Sequence, residues 1–515
     1  MLKSSILKKL GTFAALFIAT VSCAIAVHAA NYTISDYVVK EYFNDSTAGS
    51  IPAWWVSDTA GGTITVANVP SSSDKSVYLN DTSTSSSVDL SSVIPTQTDQ
   101  TTAQFSVMLP TKVNNHKLFR LISSSGAVAV SIETLDGNIS YRSATSQALV
   151  SNYSANTWYT IKIEAFPATK TANVLVNGTR ILTNVAFNDT TASDIAKLQS
   201  YTTNSGTGSF YLDTIKVYTK ATVADPNIVV AQDGTGNYTT LQAAVNAAVS
   251  GNVILVKSGT YNEVVTVNTA NLTIIGENSR ETIISYNNAA STLKPDGTAY
   301  GTSGCATMFI KGNNFTGKNF TLQNAYDEAT YGASQAVAAY VSGDKAQFIG
   351  CRILGNQDTL YAGYNRQYYK KCYIEGDVDF IFGGAAAVFE DCEIFTVSRN
   401  GGGYITAAST AAGEYGYLFT NCRIKGATAA NSVWLGRPWR PDGHVVYKNC
   451  YLGAHIKVNG WTDMSGNLAA NARFYEYANS GPGVYVNSYR RQLTSAQAAT
   501  YTKSTVLAGS DGWNP

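Results

Sequence analysis

Hydrophobic and polar residues alternate in short runs through the first part of the chain, which is the spacing of half-buried β-strands. Residues 118–121, 128–132, 158–166, 174–176 and 210–217 follow it. Asp136-Gly137-Asn138 and Asn177-Gly178 supply tight turns between runs. Only residues 192–199 carry a helical spacing. The pattern predicts an all-β unit over residues 31–222, a β-sandwich of jelly-roll type. Residues 223–227, which include Pro226, read as a linker. A second unit over 228–515 opens with a short strand at 229–231, a glycine-containing turn at 233–236 and a helix over 241–249.

Within this second unit, alternation gives way to repetition. Cys351, Cys372, Cys392, Cys422 and Cys450 are each followed two positions on by Ile or Leu. In a strand the cysteine and the aliphatic residue share one face, and the residue between them points the other way. The steps between cysteines are 21, 20, 30 and 28 residues, as in a solenoid whose coils carry loops of unequal length. Asn271 and Asn319 stand in the cysteine's place in two earlier segments. One such strand per coil, stacked in parallel, predicts a right-handed parallel β-helix with an interior ladder of Cys above a ladder of Ile. The cysteines are then packing groups first, with Cys372 and Cys392, one short coil apart, as the candidate pair for a disulfide. The chain has no Cys-x-x-Cys, and only His116, His444 and His455 lie beyond residue 30, which leaves zinc without a ligand set.

Basic and acidic residues number 36 and 35, so nothing favours nucleic acid or an anionic membrane as partner. Residues 1–30 have the layout of a signal peptide. Lys3, Lys8 and Lys9 precede an apolar run over 11–27, and small residues around Ala29 and Ala30 offer a cleavage point. The expectation is an extracellular monomer with no membrane attachment after cleavage, since no other stretch approaches the roughly 20 apolar residues of a span.

The ladder makes a prediction about acids. Asp358 lies seven residues after Cys351, and Asp379 lies seven residues after Cys372. With the coils in register, the two aspartates sit on adjacent strands about 4.8 Å apart. Two carboxylates that close do not both ionise easily, so one keeps a proton and can act as an acid beside a nucleophile or base. By offset alone, a pair of solvated turn residues fits equally well. The apolar neighbours Val378, Phe380 and Ile381 favour a site that excludes water.

The segments 357–361 and 376–383, together with 259–263, 335–338 and 435–439, resemble the signature motifs of pectin methylesterases of the secreted bacterial type. They occur in the family's order and cover about residues 228–515. Residues 31–222 fall outside that resemblance, although the stretch 210–218 resembles the closing strand of concanavalin- or laminin-G-like jelly rolls, which often bind carbohydrate. The resemblance implies hydrolysis of the methyl esters of polygalacturonate in pectin, with release of methanol and without metal or cofactor. It implies Asp379 as the nucleophile that forms an aspartyl acyl-enzyme, and Asp358 as general acid and then base. Gln335 and Gln357 would stabilise the oxyanion, and Arg437 would orient Asp379. Trp439, Phe380 and Thr307 would line the substrate, while Tyr261 and Glu263 would brace an early coil. A pectate lyase would use calcium and an arginine base, and a polygalacturonase would place carboxylates on either side of a glycosidic bond. Neither accounts for the glutamine pair or for the segment 436–439.

Overall fold

The computed structural model describes residues 32–515 except 45, 47, 51, 53, 54, 144, 224, 225 and 399–401. The expected signal segment and part of the expected linker therefore lie outside the described residues.

Strands from Tyr32–Glu41 to Gly208–Val223 form two antiparallel sheets of eight and seven strands. Their inner faces share one core, in which Phe105 stacks on Phe119 with ring centroids 4.5 Å apart. This is a β-sandwich. The helical spacing at 192–199 is overruled, because Ile195–Tyr201 is a strand paired on both sides, with Asp89–Gln97 and Lys117–Ile122. Its buried residues satisfy either period over so short a run, and the two open strand edges decide the outcome.

From Ile228–Val230 onward the sheets are parallel, with ten, eight and seven strands. Successive coils contribute strands to each sheet in turn, giving a parallel β-helix with one apolar core along its axis. The helix Leu241–Ala247 closes the first coils, shorter at its C-terminal end than the spacing predicts. Glu263 accepts the N–H groups of Leu241 (2.7 Å) and Gln242 (2.8 Å), two donors that a helix start otherwise leaves unpaired. Tyr261 donates to the carbonyl of Lys257 at 3.0 Å. These two residues are structural. Towards the C-terminus, a fully buried Arg490 donates Nε–H to Glu476 at 2.6 Å across the last coil.

The cysteine ladder lies inside, as the spacing requires. Cys351, Cys372, Cys392, Cys422 and Cys450 are buried together with Ile353, Ile374, Ile394, Ile424 and Leu452. All six described cysteines are free thiols. Instead of forming a disulfide, Cys372 and Cys392 donate to the carbonyls of Phe348 and Tyr369, each at 3.3 Å. A second ladder accompanies them three residues earlier, where Phe348, Tyr369, Phe389, Phe419 and Tyr447 stack with centroids 4.5–5.2 Å apart. The two asparagines are misplaced in the sequence reading. Register aligns Leu322 with Ile353, which puts Phe320 at the cysteine's level and Asn319 one residue before it. Asn271 belongs to another corner of the coil, where Asn314 donates to it at 2.8 Å. Both asparagines have φ near +57°, a left-handed corner that asparagine tolerates better than most residues.

Candidate active site

The seven-stranded sheet carries the chemistry. Its outward row runs Phe309, Tyr340, Tyr361, Phe382, Ala407, Arg437 from coil to coil. Asp358 and Asp379 precede Tyr361 and Phe382 by three residues each, on adjacent coils. The Asp358 N–H donates to the Val378 carbonyl at 3.0 Å, and the Ala336 N–H donates to the Gln357 carbonyl at 3.0 Å. Three stacked coils thus bring Gln335, Gln357 with Asp358, and Asp379 to one place on the surface.

Both aspartates have left-handed backbones, with φ of 64° at Asp358 and 49° at Asp379. At Asp379 the cause is a bulge: Val378 pairs with Tyr404 but Ile381 pairs with Thr406, so two residues oppose one. Such a bulge re-aims a side chain. Here it turns Asp379 towards Arg437, which donates Nε–H to one carboxylate oxygen at 2.8 Å and Nη2–H to the other at 2.6 Å. Arg437 reaches back across a row position filled only by Ala407, and its guanidinium lies 3.7 Å from the centre of the Tyr404 ring. A bidentate pair of this kind fixes the plane of the carboxylate and favours its ionised form.

The two acids are buried, at 8% and 5% exposure, so both lose hydration. Burial pushes Asp358 well above the ordinary carboxylate range, and the neighbouring Asp379 charge pushes it further. Burial also raises Asp379, but there the hydrogen bonds and charge of Arg437 pull it back. Arg437 bonds to Asp379 and not to Asp358, so Asp358 is the harder of the two to ionise. The raised value at Asp358 costs stability once the pH passes the ordinary carboxylate range, where an unfolded aspartate ionises freely. Asp358→Asn is therefore expected to raise the melting temperature by about 2 °C or more at neutral pH, with no gain near about pH 3, as read by calorimetry.

The Trp439 ring lies 6.0 Å from that of Phe382, and the Arg440 guanidinium lies 5.0 Å from its centre. Two assignments are corrected. Phe380 is buried in the axial core and cannot meet a substrate. Alternation back from Phe382 would point it outward, but the bulge at Asp379 reverses that phase. Thr307 is likewise fully buried and donates its hydroxyl to the Gln323 carbonyl at 2.9 Å. In their place the outer wall holds Phe382, Tyr361 and Tyr340, with centroids 4.7–4.9 Å apart, and Met464 joins the same cluster. The coil offset that pairs Asp358 with Asp379 also pairs Tyr361 with Phe382, and that signal could have found them. Among the described residues, no group of three or more His, Cys, Asp or Glu is placed to hold a metal ion.

A β-helix that carries a guanidinium-clamped carboxylate beside a second buried acid, at the foot of an aromatic wall, defines a class of hydrolase that uses acid pairs on solenoid coils. The family model for pectinesterase matches residues 227–510, and the chain belongs to the pectinesterase family. It is 39% identical over 269 residues to pectinesterase 31 of Arabidopsis thaliana, covering 49% of this chain and 82% of that protein. It is 36% identical over 340 residues to pectinesterase A of Dickeya chrysanthemi, covering 56% and 92% respectively. A solved pectin methylesterase from Erwinia chrysanthemi superposes with a TM-score of 0.53 at 35% identity, over 57% of this chain and 100% of its own. The carrot pectin methylesterase does so with 0.51 at 32%, over 56% and 95%. The protein is an enzyme that hydrolyses the methyl esters of pectin.

Proposed function

We propose that hydrolysis proceeds through an acyl-enzyme on Asp379, and the observation that carries this is the two-point clamp of Arg437 on that carboxylate. The clamp holds Asp379 ionised and aimed, which an attacking oxygen needs, while Asp358 keeps the proton that a departing methoxide needs. An Asp379 oxygen bonds to the ester carbonyl carbon, and the charge that develops on the carbonyl oxygen is met by the amides of Gln335 and Gln357. Collapse breaks the bond to the methoxy oxygen, which takes the Asp358 proton and leaves as methanol. Asp358, now a carboxylate, removes a proton from water, which attacks the mixed anhydride and frees galacturonate and Asp379. Tyr361, Phe382 and Trp439 offer ring faces to the pyranose C–H groups of the polymer. Methanol release from methylated pectin is the direct assay. Little release by the intact chain and none by Asp379→Ala is not the expected result; robust release by the former and none by the latter is.

Residues 1–30 export the protein, as in secreted bacterial enzymes of this family, and the mature enzyme acts outside the cell as a monomer. Residues 31–222 form a separate domain of laminin-G-like type that binds polysaccharide, joined through 223–227 to the catalytic domain 228–515. Removal of residues 31–222 is expected to leave methanol release from soluble pectin nearly unchanged while lowering retention on insoluble cell wall, as read by a pull-down. Loss of folding on truncation, read by circular dichroism, would make the sandwich part of the catalytic structure.

A further inference from the structure

The eight-stranded face of the β-helix is separate from the sheet that carries the aspartates. Its outer surface and residues of the sandwich, among them Val39, Glu41 and Tyr42, enclose a cleft of about 1020 Å³. The Arg280 guanidinium lies over the Tyr42 ring at 4.5 Å and closes one side. Along the cleft floor, the outward positions of successive coils stack in register as Arg352, Tyr373, Glu393, Arg423 and Tyr451. Arg352 sits over the Tyr373 ring at 5.0 Å. The next outward row runs Glu375, Phe395 and Lys425, and Lys425 donates to Glu393 at 3.0 Å. With Arg280 and Lys371, five cations face three carboxylates, Glu41, Asp391 and Glu393. A local excess of that size is notable in a chain whose formal charge is +1.

His455 lines the cleft at 4% exposure, and its Nε2 has no hydrogen-bond partner. The Thr428 hydroxyl and Arg280 Nε line the same cleft and are also unsatisfied. These three atoms are enclosed in the cleft wall, so what the cleft offers a guest is its charged floor. Burial pushes His455 down to about 4, so at neutral pH its imidazole adds no charge to the cleft wall. Along the floor, at the strand spacing of about 4.8 Å, a cation, a ring, a carboxylate bonded to Lys425, a second cation and a second ring follow one another. That pattern suits a polymer whose units each carry a carboxylate and an apolar ring face. A methylated unit has the ring face and lacks the charge.

We propose that this cleft binds de-esterified polygalacturonate, the polyanionic product of the ester hydrolysis, so that the enzyme holds treated chain on one face while the aspartate groove meets methylated chain on another. The inference rests on the pectinesterase reading and adds a second site to it. Titration calorimetry of the full-length enzyme with a de-esterified oligogalacturonide is expected to show two classes of site per chain. In Arg352→Gln/Arg423→Gln one class weakens at least about tenfold and loses its salt dependence, while kcat and KM on a short methylated oligomer stay unchanged. Trp439→Ala weakens the other class. Retained hydrolysis reports an intact fold; if the double variant loses it, Lys371→Gln and Tyr451→Ala carry the same comparison. A single class, lost in Trp439→Ala and untouched by the cleft variants, would overturn the proposal, as would equal cleft affinity for a fully methylated oligomer. Absence of methanol release by the unaltered enzyme refutes the esterase reading alone, because cleft binding is measured without turnover.

Discussion

Asp379→Ala is expected to lower kcat for methanol release by roughly 10⁴-fold or more, because it removes the oxygen that attacks the ester carbonyl. The loss should be the same for esters of poor and good leaving alcohols, since no acid can replace an absent nucleophile. Alanine also leaves Arg437 without its two carboxylate acceptors in a half-buried position, so some loss of stability accompanies it. Asp379→Asn keeps the side-chain volume and is expected to be equally inactive. Rates within about tenfold of the unaltered enzyme, in either variant with the fold intact by circular dichroism, would remove Asp379 from the chemistry.

Asp358→Asn produces the second large effect, of a different kind. Without the proton held on Asp358, methoxide must leave unaided, and a loss of about 10²- to 10⁴-fold is expected on methylated pectin. An ester of a much more acidic alcohol needs less help, so the acylation defect should shrink with that substrate. The same substitution is the one expected to stabilise the fold, because it removes a buried carboxyl whose ionisation the site resists. Activity and stability then move in opposite directions at one residue, as expected of a functional group held against its preference. The pH profile of kcat/KM in the unaltered enzyme follows from the same pair. Activity rises as Asp379 ionises and falls as Asp358 loses its proton, and both limbs lie above the ordinary carboxylate range because burial raises both groups. In Asp358→Asn the alkaline limb is expected to disappear while the acid limb remains.

Much of this was readable from the chain. The Cys-x-Ile repeat gave the coil, and a shared offset of seven residues from two cysteines placed Asp358 and Asp379 side by side before any motif was considered. Arg437 needed the motif, because 58 residues and a variable loop separate it from Asp379, and no local pattern shows that Ala407 clears its path. The failures have local causes. Phe380 was assigned to the groove by the resemblance, and the bulge that gives Asp379 its left-handed backbone turns Phe380 into the core instead. Asn319 was placed one step late because a corner asparagine and a core cysteine fall beside each other in the repeat. The spacing at 192–199 was ambiguous by itself, and only the strands on either side of it settle the matter. Nothing in the sequence foretold the charged cleft, since it depends on how the sandwich meets a coil face hundreds of residues away.

The central claim is that two aspartates in equivalent places on adjacent coils divide the work, with Asp379 as nucleophile and Asp358 as proton carrier. The most direct test mixes Asp358→Asn rapidly with a galacturonate oligomer esterified to an acidic, chromogenic alcohol, and follows alcohol release together with intact-protein mass. The expected result is a stoichiometric burst of alcohol, a slow steady rate and an acylated protein, because the variant can form the anhydride but lacks the base that directs water to it. Proteolysis should place the acyl group on the peptide that contains Asp379. A linear release with no adduct, or an adduct on any other residue, would contradict the account.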